Sequence, residues 1–242
     1  MGMPRPVIQQ LHLATFIPGP PIAVLNVLAS MFPGVTPSAF QNHGPLQTAT
    51  LELGGFQITV ASQMERIDFV IAPPEPQLPP LSATPKLDLD AASRLLLPPV
   101  GAFASRQDTK RLAVIINAAR EVGSAQETVA IAREMIPGLN LPEGTSEIDY
   151  KINVPRPSNF EQITLNRLHR WFSAARTVIQ FTVGPQGPAM APVHDMGWAL
   201  VEVIDVNTAM ESEFVPANSL GLLEEMTKEA SDLYAKGFEA FS

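Results

Sequence analysis

The sequence predicts an α+β protein: two tandem β-α-β-β-β units related by internal duplication, each a mainly antiparallel sheet covered by a helix, followed by a C-terminal amphipathic helix. Three observations predict it. The segment MFPGV at 31–35 returns as MIPGL at 135–139. Polar and apolar residues alternate in stretches such as TATLELGGFQITV, the mark of half-buried strands. The last stretch of the chain repeats its apolar residues at helical spacing.

The first unit, residues 1–72, opens with the strand-like run IQQLHLATF at about 7–17. Pro20 and Pro21 then suit the start of a helix over 21–32, where a missing N–H costs nothing. That segment is apolar nearly all round, with only Asn26 and Ser30 polar, so burial on more than one side is expected. Pro33-Gly34 stops it by removing a donor and supplying a residue tolerant of positive φ. Strands follow at 46–53, 56–62 and 66–72, with Gly54-Gly55 as a hairpin turn.

Residues 73–108 read as a proline-rich linker and a short helix. PPEPQLPPLSATP is stiff and extended, lies on the surface, and contains a PxxP pattern at Pro76–Pro79 that suits an aromatic groove. DLDAASRLLL places an Asp at a helix start.

Sliding residues 8–35 onto 112–139 sets Ala14, Gly19, Met31, Pro33 and Gly34 against Ala118, Gly123, Met135, Pro137 and Gly138, and defines the second unit as 109–242. Its helix starts with Ser124 and Glu127, a capping box. Further on, FQITV meets EQITL at 161–165, and RIDFVIAP meets VIQFTVGP at 178–185. In the tail, Leu223, Met226, Ala230, Leu233, Gly237 and Phe241 form one stripe that packs on the sheets. Glu225, Glu229, Asp232 and Lys236 lie opposite, and Asp232 and Lys236 form an i,i+4 pair.

Under this alignment NRLHRWF, residues 166–172, is an insertion in the second unit. Read as a helix, it turns Leu165, Leu168, Phe172 and Ala175 inward and leaves Arg167 and Arg170 outward or edgewise. Asn166, Arg167, His169, Arg170, Trp171 and Arg176 then make a basic patch in an otherwise acidic chain. Arginines grip phosphate or carboxylate bidentately, and a tryptophan offers a stacking plane. The competing expectation is that the patch pairs with the chain's own carboxylates over 202–232.

Composition narrows the chemistry. The chain has 242 residues, 45% hydrophobic and 17% charged, with 24 prolines, enough to bury a core without cross-links. It contains no cysteine, which excludes disulfides, thiolate metal sites and a cysteine nucleophile. A formal charge of −8 argues against a general affinity for nucleic acid. The amino terminus reads as neither a signal peptide nor a myristoylation signal, and the apolar run 22–32 is too short for a bilayer, so a cytoplasmic protein off the membrane is expected.

Of the four histidines, His12 reads as a satisfied core or edge residue and His43 as a turn residue. His194 and Asp195 end a Gly/Pro-rich loop and offer an acid-base pair over a cleft. Glu202 and Asp205 have opposite strand parity and so do not share one ion. No HExxH, P-loop, GxGxxG or GxSxG pattern occurs, and no metal or cofactor is expected. The reading that follows is a non-catalytic binding or assembly component with a groove between two repeated units, taking a protein partner or a small anionic ligand. The alternative is a hydrolase-like enzyme using His169, or His194 with Asp195, with Arg167 and Arg170 as anion holders. A second alternative is nucleic-acid binding through 166–176.

Overall fold

A computed structural model describes residues 5–74, 86–178, 181–184, 187–190 and 194–241, without the side chains of 176–178, 181–184, 187–190 and 194–196. The PxxP motif at Pro76–Pro79 lies outside the described residues. The first elements are β1 (Val7–Phe16), α1 (Val24–Met31), β2 (Ala39–His43), β3 (Leu46–Leu53), β4 (Phe56–Gln63), β5 (Arg66–Ala72) and α2 (Leu89–Ala104). Then come β6 (Arg111–Val122), α3 (Ala125–Met135), β7 (Asp149–Asn153), β8 (Arg156–Pro157) and β9 (Thr164–Val178). The chain ends with β10 (Phe181–Gly184), β11 (Gly187–Met190), β12 (His194–Thr208) and α4 (Ser219–Lys236). Among the described residues no helix is long and apolar enough to cross a membrane.

The protein is mixed α+β, but its strands form one ten-stranded sheet where a separate sheet per repeat was expected. The order is β2-β3-β4-β5-β1-β6-β12-β9-β7, with β8 on β9, and β10 and β11 pair apart from it. Pairing is antiparallel from β2 to β1. The chain divides by contact density into two compact units, one built mainly of Ala119–Lys151 and Arg170–Glu202, the other of Val7–Ala118, Ile152–His169 and Val203–Ser242. The boundary falls within β6, β7, β9 and β12.

In the larger unit the two-residue strand period decides what is buried. RIDFVIA buries Ile67, Phe69 and Ile71 and leaves Arg66, Asp68 and Val70 half-exposed on the other face. Leu11 and Leu13 of β1 share the buried face in register with Ile71 and Phe69. The apolar stripes of α1, α2 and α4 close one core over it, through Val27, Leu28, Leu96, Val100, Leu223, Met226 and Ala230. Phe103 of α2 meets Phe69 edge-on, centroids 5.8 Å apart.

Helix boundaries differ from expectation for local reasons. The first helix starts at Val24, whose N–H is taken by the Gln47 side chain at 3.2 Å. It buries one stripe only: Leu25 is 43% exposed. The second is no short helix. It runs through Pro98 and Pro99, which remove two ladder donors, because Leu96, Leu97, Val100, Gly101 and Phe103 bury one continuous face. Its Asp88 cap accepts from Ala91 N–H at 3.0 Å.

In the smaller unit α3 is capped as expected by Ser124, which accepts from Glu127 N–H at 3.3 Å. The Glu127 carboxylate reaches one residue further than a capping box requires, to Gly123 N–H at 2.9 Å. Val129, Ile131, Ala132, Ile148, Trp171 and Leu200 are buried here.

The two Pro-Gly stops are built alike. Phe32 N–H donates to Leu28 and Val35 N–H to Phe32; Ile136 N–H donates to Ala132 and Leu139 N–H to Ile136. Gly34 and Gly138 both take the left-handed φ that glycine tolerates, 80° and 74°. The third alignment block departs from expectation. RIDFVIA forms β5 beside β1, whereas of the second segment Val178 ends β9 and Phe181–Gly184 form β10, and β12 stands next to β6.

Candidate functional site

NRLHRWF is not a helix; it lies within β9. Strand alternation therefore divides the residues that a helix would have grouped. Arg167, His169 and Trp171 are buried, and Asn166, Leu168 and Arg170 fall on the half-exposed side.

Arg167 is a structural clamp. Its Nε donates to the Val154 carbonyl at 3.1 Å and its Nη1 to the Ala240 carbonyl at 3.0 Å, with Glu229 at 3.5 Å and the Phe241 ring 5.3 Å below the guanidinium. Arg156 shares the task, bonding Glu225 at 2.8 Å and Glu229 at 2.7 Å. Burial works against the Arg156 charge, but the two carboxylates outweigh it and hold its pKa above the ordinary value. Glu225 and Glu229, expected on the solvent side of the tail helix, are therefore turned inward to these arginines. The pairing of basic segment with acidic stretch that the sequence offered as the plainer outcome holds for Arg167.

Arg170 makes a bidentate pair with Asp149, 2.8 and 2.7 Å, and lies over the Phe172 ring at 4.6 Å. Its hydrogen bonds hold the Asp149 carboxyl below the usual range. Trp171 is buried against Tyr150, centroids 6.1 Å apart, and offers no stacking plane to solvent. His169 is fully buried. Backbone at Arg176 lies in β9 and at His194 and Asp195 in β12, but these three side chains lie outside the described residues.

A different constellation stands on the sheet face of the larger unit opposite its helices, where among the described residues Asn166 is the one predicted site residue to appear. At its centre Phe16 of β1 lies between two guanidiniums, Arg66 at 5.2 Å and Arg111 at 4.8 Å from the ring centroid. Arg66 is neutralised by Asp68, Nε at 2.8 Å and Nη2 at 2.7 Å, and His12 Nε2 meets the same carboxylate oxygen at 2.6 Å. Burial alone would raise the Asp68 carboxyl; the hydrogen bonds and charges of His12 and Arg66 overcome it and leave the pKa lowered.

Arg111 is held differently. Its Nε donates to the Thr208 carbonyl at 3.1 Å and its Nη2 to Asn207 Oδ1 at 3.3 Å. Asn207 is fixed in turn: its Nδ2 donates to Asp205 at 2.9 Å, and its Oδ1 also accepts from Asn166 Nδ2 at 3.1 Å. Asn153 continues the amide row to Asn166 at 3.5 Å. Among the described residues Arg111 has no carboxylate partner. Its orientation is set by two oxygens and a ring while most of its five donors stay uncommitted, an arrangement suited to an incoming anion.

Sequence reasoning missed this site because its members come from β1, β5, β6, β9 and β12, and only register brings them together. The available signal was parity: Arg66 and Asp68 alternate with the buried Ile67 and Phe69, so both had to emerge on the opposite face. Among the described residues no group of histidines and carboxylates could hold a metal ion. No protein-family model matches the chain, and no curated protein matches it.

Proposed function

We propose that this protein is a non-catalytic binding component that uses the sheet face opposite its helices, at the seam of β1 and β6, to hold an acidic segment of a protein partner. One observation carries the reading: Arg111 is oriented by Thr208, Asn207 and Phe16 yet, among the described residues, left without a counter-charge. A cation prepositioned in this way meets a carboxylate without first giving up a native ion pair. The amide row beside it supplies donors and acceptors for an extended backbone.

We further propose descent from a doubled β-α-β-β-β unit, with the seam as the meeting line of the two copies. The similar Pro-Gly stops support this, as does the strand order, in which β5-β1 and β12-β6 approach the seam from either side. The groove expected between repeats becomes, on this reading, the face around Phe16 and Arg111. Nucleic-acid binding through 166–176 loses support from the engagement of Arg167 and Arg170 with the chain's own groups. The enzyme reading rests on His169, which is fully buried, or on His194 with Asp195, whose side chains lie outside the described residues.

Calorimetric titration of the full chain with a polyglutamate peptide tests the proposal. Saturable binding weakened roughly tenfold in Arg111→Ala, the worth of one charge-assisted contact, is expected, with Arg170→Ala unchanged. Equal affinity of wild type and Arg111→Ala ends the reading.

A further inference from the structure

Exposed apolar side chains scattered singly over a surface mean little, but a group of them marks an interaction site. In the larger unit they gather at one end of the strands. Gln47 pairs with Ser62, Gln63 with Arg66, and Arg66 with Phe16, so Leu46, the Met64 turn and the end of β1 stand in a row. Lys110 N–H donates to the Phe16 carbonyl at 2.8 Å and Leu112 N–H to the Thr208 hydroxyl at 3.1 Å, which continues the row through the start of β6 to the end of β12. Met64 is 65% exposed, and Met210, two residues past Thr208, is 77% exposed. Leu46 and Val215 are exposed too. Arg111 stands in this row between the two methionines. Methionine and arginine are among the residue types enriched at protein interfaces.

The segment that carries Met210 is acidic and is fixed by its own backbone. Ala209 N–H donates to the Thr164 carbonyl at 2.8 Å, Ser212 Oγ accepts from Thr164 N–H at 3.0 Å, and Glu213 N–H donates to the Gln162 carbonyl at 3.4 Å. Tied down in this way, the segment turns Met210, Glu211 and Glu213 to the surface, where all three are exposed. A segment already ordered loses little freedom when its side chains meet a partner. Arg111, oriented by Thr208, Asn207 and Phe16, is the matching half. One end of the molecule therefore presents an oriented cation on β6 and, past the end of the neighbouring β12, a pair of carboxylates with an apolar side chain beside them.

We infer that the acidic segment held by Arg111 is residues 209–213 of a second copy of this chain, in a two-fold dimer. This rests on Arg111 being the seat of an acidic segment, and it names the partner. A two-fold contact uses the same patch on both copies, so a cation and an acidic segment lying side by side in one copy meet their opposites in the other twice over. Two copies of formal charge −8 repel each other in general, and a self-contact has to set opposite charges face to face to overcome it. Met64 and Met210 supply the apolar area around the two charge contacts.

Sedimentation equilibrium of the full chain, over a wide concentration range at physiological salt, tests the inference. A reversible monomer–dimer equilibrium is expected, displaced toward monomer by the polyglutamate peptide. Arg111→Glu, and separately the pair Glu211→Lys, Glu213→Lys, should each weaken self-association at least about tenfold, since like charges then meet in both contacts. An equal mixture of the two variants should regain dimers of wild-type strength, because each reversed group then faces its opposite in both contacts. Glu211 and Glu213 are exposed, so their reversal tests the contact without disturbing the fold. A chain that stays monomeric yet binds polyglutamate overturns the inference and leaves Arg111 to the acidic segment of a different protein. A monomer that binds no polyglutamate ends both readings. Dimers that the glutamate reversals leave unchanged, or that Gln41→Lys on the edge strand β2 disrupts, have their contact elsewhere and likewise overturn it.

Discussion

Gly101 of α2 faces Leu220 of α4 so closely that a Cβ on the glycine would fall 2.9 Å from both the Cα and the Cβ of Leu220. The glycine is there for the crossing, not for its backbone freedom. In an open helix Gly→Ala gains about 1 kcal/mol of propensity. Here the clash is with backbone, which yields less than a side chain end, and overpacking costs about 1–3 kcal/mol. Gly101→Ala should therefore lower the denaturation midpoint, and Gly101→Val should lower it further, both measured by chemical unfolding.

Pro98 and Pro99 make the opposite prediction. Each removes a helical donor inside α2, and Pro98 is exposed, so its replacement disturbs little packing. Pro98→Ala restores an N–H and should stabilise the protein by about 1–2 kcal/mol, after about 0.4–1 kcal/mol is lost through the freer unfolded chain. Calorimetric melting would read the gain.

Neighbouring arginines of β9 should behave unlike each other. Arg167→Ala strips charge-assisted bonds from the Val154 and Ala240 carbonyls and should cost about 2–3 kcal/mol, with faster carboxypeptidase release of the turn over Gly237–Phe241. Arg170→Ala breaks a pair whose side chains are 42% and 58% exposed, and should leave the melting temperature within experimental scatter.

Asp68 makes the protein acid-sensitive. Its folded pKa is depressed, so its contribution is complete above the unfolded value near about 4 and is lost as pH falls through the lower, folded value. Asp68→Asn should be about 1.5–3 kcal/mol less stable than wild type at neutral pH. The gap should close in acid, as followed by urea unfolding at stepped pH.

Local patterns were legible where a single period governed burial. β1, β3, β4 and β5 lie within a residue or so of the runs read from alternation, and Ser124, Asp88 and the two Pro-Gly stops mark helix ends as their chemistry requires. Failures occurred where tertiary packing overrode a local rule. LLLPPVGAF reads as a break at its prolines, yet buried Val100 and Phe103 hold the helix through them. NRLHRWF satisfies helical and strand periods about equally, and only the neighbours β7 and β12 decide between them. Its arginines look like one patch in a linear text and part company once alternation sends Arg167 to Glu229 and Arg170 to Asp149. Long-range register, invisible in one sequence, is what assembles Phe16, Arg66 and Arg111.

At one margin of the sheet stands β2, five residues long, every one of them exposed, bonded among the described residues to β3 on one side only. Its outer row of amides and carbonyls is a template for any extended backbone that arrives, and Phe40, 46% exposed, adds an oily foothold. Concentrated solutions of this protein are therefore prone to lateral joining of molecules at this strand, and a lysine placed at Gln41 would be the natural guard against it.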